Sequence, residues 1–269
     1  MKKPNPWEYP DLGHPSMKDV ALVLPINDKG DKIHDQSGRR NNGTNNGATW
    51  TSGPYGPALS FDGSSSIELP DKFENITDAD FTITINFRLT TDSFDQALFS
   101  TSNSTLNEYA CVIFFDRSSF LGGTNVISAL ITASTPALDW LWIESSTLSL
   151  NTDYTVTFVY EKGVTANLYV NGVLDNADSQ NLTLSGVSNS NEGARLGYSL
   201  NSAGLAYRGL MDSVVIWEGT RTAQQVKQQF DFPWQAWEKD NIALWAASQA
   251  VTGNANLLDG PFERYRRIA

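Results

Sequence analysis

Residues 34–71 read HDQSGRRNNGTNNGATWTSGPYGPALSFDGSSSIELPD. Four Asn and three Gly crowd the ten positions from Gly38 to Gly47. These residue types enter left-handed backbone conformations at least cost, and Gly loses the most chain entropy on folding. Such density fits a flexible linker, a ligand site or a hard turn. Trp50, PALSF (57–61) and SIEL (66–69) follow it, and they are β-rich rather than more linker. The stretch is therefore read as a tight turn inside a domain, between an early strand and Trp50. Gly38, Gly43 and Gly47 supply backbone freedom, and Asp35, Ser37 and Asn42 supply turn bonds or oxygens for an ion.

The same period-two pattern runs outward from it, over residues 20–218. FTITINFRL (81–89) sets Phe81, Ile83, Ile85, Phe87 and Leu89 on one face and Thr82, Thr84, Asn86 and Arg88 on the other. YTVTFVYE (154–161) alternates likewise, and Asn171-Gly172 between β-rich flanks predicts a hairpin. VALVLPI, ALFS, YACVIFF, NVISALIT, LDWLWIE, ARLGYS and GLMDSVVIW are further short runs parted by turn residues, which indicates an all-β sandwich or barrel. Helix is predicted only late. TAQQVKQQF (222–230) opens with Thr222 and has Gln225 three residues on, the spacing of a capping box, and a second helix is predicted over 237–249.

The 269 residues include 8 Trp and 40% hydrophobic residues, enough for a large core. With a formal net charge of -11, the chain is repelled by nucleic acid and anionic lipid, so neither is expected as a partner. The single Cys, Cys111, cannot form an internal disulfide and reads as a buried small hydrophobe. No run approaches the ~20 apolar residues of a membrane span. The first residues, MKKPNPWEYP, carry two Lys but no apolar stretch after them and do not form a signal peptide.

At this point the ordered motifs resemble a known family. D-x-S-G-x-x-N-x-G (Asp35 to Gly43), Trp50, and G-x-x-G-x-A-L-x-F-D-G (Gly53 to Gly63) resemble the opening of laminin-G-like, concanavalin A-like domains. GLMDSVVIWEGTRTAQQV (209–226) is similar to the family's closing strand and short helix, with Asp212 in the acidic position. The resemblance implies a jelly-roll sandwich of two antiparallel sheets over residues 20–230. Residues 1–19 and 231–269 flank it as irregular arms rich in Pro, Trp and Gly. The PFERYRR finish resembles that of such domains in phage and phage-like structural proteins.

Candidate sites follow. Glycosidases of this fold resemble one another in an E-x-D-x-x-E strand, whose paired carboxylates do the chemistry. No such motif occurs here, nor G-x-S-x-G or H-E-x-x-H, and no enzyme activity is expected. The resemblance implies one Ca²⁺ near the start of the domain and the last strand, which points to Asp35 and Asp212; Asn42 and Asp62 are further oxygen donors. The same residues also serve as plain turn-formers. Trp140 and Trp142 share one face of a strand, either stacking on a sugar or packing between the sheets. Tyr198, Asn201 and Tyr207 surround a loop that would rim a glycan site. Trp7, Trp234, Trp237, Trp245, Arg264, Arg266 and Arg267 in the arms are expected to dock on the body or on a partner.

The expectation is a structural protein of a phage or phage-like virion, a capsid decoration or fibre-type subunit, displaying a lectin-like domain. Its arms would bind other virion proteins or copies of itself. The alternative is a glycan-binding module or adhesin of a bacterium, with or without calcium, reaching the cell surface or exterior by a non-classical route.

Overall fold

The computed structural model describes residues 2–103, 108–118, 124–132, 140–178, 193–199 and 205–238. The strands run in order β1 (Val20–Leu24), β2 (Lys32–Ile33), β3 (Gly43–Asn46), β4 (Thr49–Ser52), β5 (Pro57–Asp62), β6 (Ser66–Leu69), β7 (Phe81–Leu89), β8 (Gln96–Asn103), β9 (Glu108–Ser118), β10 (Thr124–Thr132), β11 (Trp140–Glu144), β12 (Asp153–Glu161), β13 (Thr165–Val170), β14 (Val173–Asp178), β15 (Ala194–Leu196) and β16 (Arg208–Glu218). One α-helix, α1 (Ala223–Asp231), follows.

The strands form two antiparallel sheets, the expected jelly roll. The first has the order β14-β13-β12-β7-β16-β5-β4, with β1 also on β16; the second has the order β11-β10-β9-β8-β15-β6-β3-β2. Alternation dictates what lies between them. Phe81, Ile83, Ile85, Phe87 and Leu89 of β7 point inward and meet Phe99, Cys111, Ile113, Phe115, Ile127, Ile131, Leu141 and Ile143 of the second sheet. Each such side chain contributes roughly 1.5–3 kcal/mol by leaving water. Burial also pushes the Cys111 thiol up, so it stays a neutral core group.

The opening stretch is more than a turn. Residues 34–42 turn, but Gly43–Asn46 then pairs with β2 and β6 as a strand of the second sheet. Asn-rich sequence has low strand propensity, so this strand is held by its neighbours rather than by its own side chains. Gly38 and Gly47 are at positive φ as expected. Gly43 serves a different need: a Cβ there would lie 2.7 Å from Ile67 Cγ2.

The local signals at the other end match the structure. Asn171 and Gly172 both take positive φ and close the β13–β14 hairpin. Thr222 accepts from Gln225 N while Gln225 Oε1 accepts from Thr222 N, completing the capping box of α1. Of the second helix expected over 237–249, Trp237 ends a short 3-10 turn and residues 239–249 lie outside the described residues.

Both arms, as far as described, pack on the body. Met17 joins Val20, Val23, Val215, Trp217 and Ala236 in one buried cluster. Asp11 N donates to Ala236 O at 2.7 Å, and Trp237 Nε1 reaches Gln36 Oε1 at 3.0 Å. The expected docking residues Trp234 and Trp237 are thus committed to the fold, their rings crossing at 80° with centroids 5.6 Å apart. Trp7 is 74% exposed. Trp245, Arg264, Arg266 and Arg267 lie outside the described residues.

Candidate functional site

The outer faces of the two sheets differ in chemistry. On the first sheet the face is polar. Thr84 and Thr157 hydroxyls are 2.8 Å apart, Asn86 Nδ2 donates to Ser213 Oγ at 2.7 Å, and Thr155 Oγ1 donates to Asn86 Oδ1. Helix α1 roofs one side of this face by seating Val226 against Val159 and Tyr169. Buried hydroxyls and amides that satisfy one another this way cost the fold little and leave few donors for a ligand.

On the second sheet the outer face carries an apolar cluster of Ala97, Val112, Phe114 and Leu130, with Trp142 and Leu205 partly exposed against it. Trp142 does not pack between the sheets. Its strand neighbours Leu141 and Ile143 take the inward positions, which sends Trp142 outward. Its ring meets Phe114 edge-on, with centroids 5.8 Å apart at 77°, and its Nε1 donates to Glu144 Oε1 at 2.8 Å. Both contacts fix the ring. Ser128 of β10 lies between Phe114 of β9 and Glu144 of β11, and its hydroxyl lies 3.5 Å from Asp116 Oδ2. Asp116, Ser128 and Glu144 are themselves buried, so what this face offers a polyhydroxy ligand is the partly exposed aromatic plate on which it can stack.

The other expected sugar residues divide. Tyr198 bridges to Ala206, closing the loop whose Leu205 packs on the same apolar cluster. Tyr207 is no rim residue. It is wholly buried, its ring sits 5.4 Å from Phe61, and its hydroxyl lies 2.8 Å from Arg88 O and 2.7 Å from Leu210 O. The hydrophobic ring fills the end of the core, and the hydroxyl serves two backbone carbonyls there. Asn201 and the side chain of Trp140 lie outside the described residues. Phe114, Asp116, Ser128 and Glu144 were missed. Their signal was available, because YACVIFF places Phe114 opposite in phase to the core residues Ile113 and Phe115.

The expected cation ligands are not brought together. Asp35 accepts from Val23 N, Ser37 N, Ser37 Oγ and Asn41 N at 2.7–2.9 Å, which spends its carboxylate on the turn. Asn42 Oδ1 accepts from Asp35 N, and Asp62 accepts from Ser64. Among the described residues no group of three or more His, Cys, Asp or Glu converges.

Asp212 stands apart, buried with its side chain 3% exposed, and the Lys3 ammonium lies 3.1 Å from its Oδ1. Burial pushes the Asp212 carboxyl up to about 6, with Lys3 pulling the other way. Burial likewise pushes Lys3 down to about 8 against the pull of Asp212.

Residues 61–227, more than half of the chain, match the family described as the concanavalin A-like lectin/glucanases superfamily. Solved structures share the fold. The binding domain of Paraclostridial Mosquitocidal Protein 1 superposes with a TM-score of 0.62 at 18% identity, over 80% of this chain and 52% of that one. The binding domain of botulinum neurotoxin DC in complex with SialylT gives 0.61 at 13% identity, over 80% and 52%. Domain 4 of AbnA, an extracellular GH43 arabinanase of Geobacillus stearothermophilus, in complex with arabinotriose, gives 0.55 at 18% identity, over 78% and 97%. The chain thus spans about half the length of the toxin binding domains. No curated protein sequence matches it.

Proposed function

Since the chain belongs to the concanavalin A-like lectin/glucanases superfamily, we propose that it is a non-catalytic glycan-binding domain whose ligand lies across Trp142 on the outer face of the second sheet. The observation that carries this is the fixing of Trp142 between Phe114 and Glu144 while its ring stays partly exposed. A ring already held in place loses little entropy when a sugar stacks on it, which favours affinity. Glu144 and the buried Asp116 and Ser128 beneath it hold the plate in place rather than meeting the sugar directly. The arabinanase domain and the neurotoxin domain, both solved with their named ligands bound, support a glycan as the class of ligand.

The test is a titration of neutral and sialylated oligosaccharides against the full chain, read by tryptophan fluorescence and calorimetry. Saturable binding that Trp142→Ala weakens supports the reading, and absence of binding across the panel removes it.

A second reading concerns where the domain is displayed. Trp7 and Tyr9 are each 74% exposed and Leu12 is 56% exposed, an apolar group on the first arm. Exposed apolar groups of this kind suit docking on another protein, as a virion decoration or fibre subunit requires. Light scattering after size exclusion, on wild type and on Trp7→Ser, distinguishes assembly through the first arm from a monomer.

A further inference from the structure

Strand β16 changes neighbours along its length. Its first part, Arg208 to Met211, pairs with β5, and its later part, Val214 to Trp217, pairs with β1. Asp212 falls in the gap and is also the extra residue of a bulge against β7, where pairing shifts between Met211 and Ser213. A bulged residue is left out of the ladder, and its carbonyl needs another partner. Lys3 supplies it. The Lys3 ammonium donates to Asp212 O at 2.5 Å, to Pro57 O at the start of β5, and to Ile26 O at 3.4 Å just past β1, besides pairing with Asp212 Oδ1.

Two further features keep this arrangement open for a cation. Ile26, a β-branched residue, is held at φ +49, a strained conformation that fixes where its carbonyl points. Gly53 has no Cβ, and one there would lie 2.5 Å from Asp212 Oδ1. Both Asp212 carboxylate oxygens are shut off from solvent; Oδ1 has the Lys3 ammonium at 3.1 Å, and Oδ2 has no hydrogen-bond partner among the described residues. The nearby Arg88 does not oppose a second cation strongly, because Asp153 binds it through two bonds of 2.8 and 2.6 Å.

We propose that these oxygens form a cation seat filled in cis by Lys3, and that removing the Lys3 ammonium converts the seat into a Ca²⁺ site. Three main-chain carbonyls and one carboxylate are hard oxygen donors of the kind calcium takes. Calcium takes about six to eight oxygens, so waters would complete the shell; Asp212 also lines a cavity of about 120 Å³ with Tyr55, Asn86, Arg88 and Asp153 among others. The residues therefore fit the ion, but the tethered ammonium and Ca²⁺ compete for one place. Cation binding and release of the first arm are thereby coupled.

The test uses the full chain with Ca²⁺ alone as probe, in wild type, Lys3→Met and Lys3→Met with Asp212→Asn. In wild type, melting is expected to be the same in Ca²⁺ and in EDTA. Lys3→Met is expected to bind one Ca²⁺ by calorimetry and to melt at least about 5 °C higher in ~5 mM Ca²⁺ than in EDTA, because a ligand of the native state alone stabilises it. The double variant is expected to lose both effects. Should Lys3→Met fail to fold in EDTA, recovery of the native circular dichroism on adding Ca²⁺ supports the proposal. Persistence of the unfolded signal with Ca²⁺ overturns it. A folded Lys3→Met that binds no Ca²⁺ overturns it equally, as does wild type binding Ca²⁺ as tightly as the variant.

Discussion

The two outer faces of this sandwich come from strands with the same alternating grammar, yet they end differently. On the first sheet, β7 and β12 send out Thr84, Asn86, Thr155 and Thr157, which bond to one another and to Ser213. The chain then lays its own helix and arms over this face, with Trp217, Trp234 and Val226 buried there. On the second sheet, β9 and β10 send out Val112, Phe114 and Leu130, with Trp142 left partly exposed on top. A sheet face whose polar groups satisfy each other suits closure by the chain itself. A face that leaves a fixed aromatic plate partly exposed suits a ligand. On the proposed function, the first face serves stability and the second serves binding.

The strongest way to break that assignment is Trp234→Ala. The side chain is 3% exposed, so its removal is expected to cost about 3–5 kcal/mol in denaturant unfolding and to leave glycan affinity unchanged. A small loss of stability with a large loss of affinity would reverse the roles of the two faces.

The Lys3–Asp212 seat gives a pH signature confined to the first face. Asp212 titrates near 6 in the folded state against an ordinary 3.8, so between those values the native state holds more protons than the unfolded chain. Its contribution is complete below about pH 4 and fades as pH rises through 6. The melting temperature of wild type minus that of Asp212→Asn is therefore expected to be greater at pH 4.5 than at pH 7, by an amount on the order of 2 kcal/mol in stability. An unchanged difference would contradict burial as the dominant influence on this carboxyl.

Two smaller effects sharpen the comparison. Thr222→Ala removes the cap of α1 and is expected to cost about 1 kcal/mol, read as a lower melting temperature with glycan binding intact. Asp153→Asn breaks an ion pair whose side chains are about a third exposed, and a loss below about 1 kcal/mol in denaturant titration is expected.

The sequence made the first face easier to read than the second. Period-two alternation in FTITINFRL and YTVTFVYE is purely local, and so are the Asn171-Gly172 turn and the Thr222 cap; all four took the expected form. Gly43–Asn46 was hidden because its pairing comes from β2 and β6 rather than from its own side chains. Tyr207 looked like a rim residue because it borders a Gly- and Asn-containing loop, but the core claims it. Trp142 was legible only as one of two alternatives. Its direction depends on which neighbours reach the core, and Leu141 and Ile143 do. Lys3 and Asp212 are 209 residues apart, so no local pattern could join them.

The central claim is that a glycan stacks on Trp142. It is tested most directly by calorimetric titration of an oligosaccharide found to bind wild type into Trp142→Ala, with the melting temperature of both proteins measured alongside. The account predicts that affinity falls at least about tenfold, some 1.4 kcal/mol, while the melting temperature moves by only a few degrees. Equal affinity in wild type and a folded Trp142→Ala would contradict it.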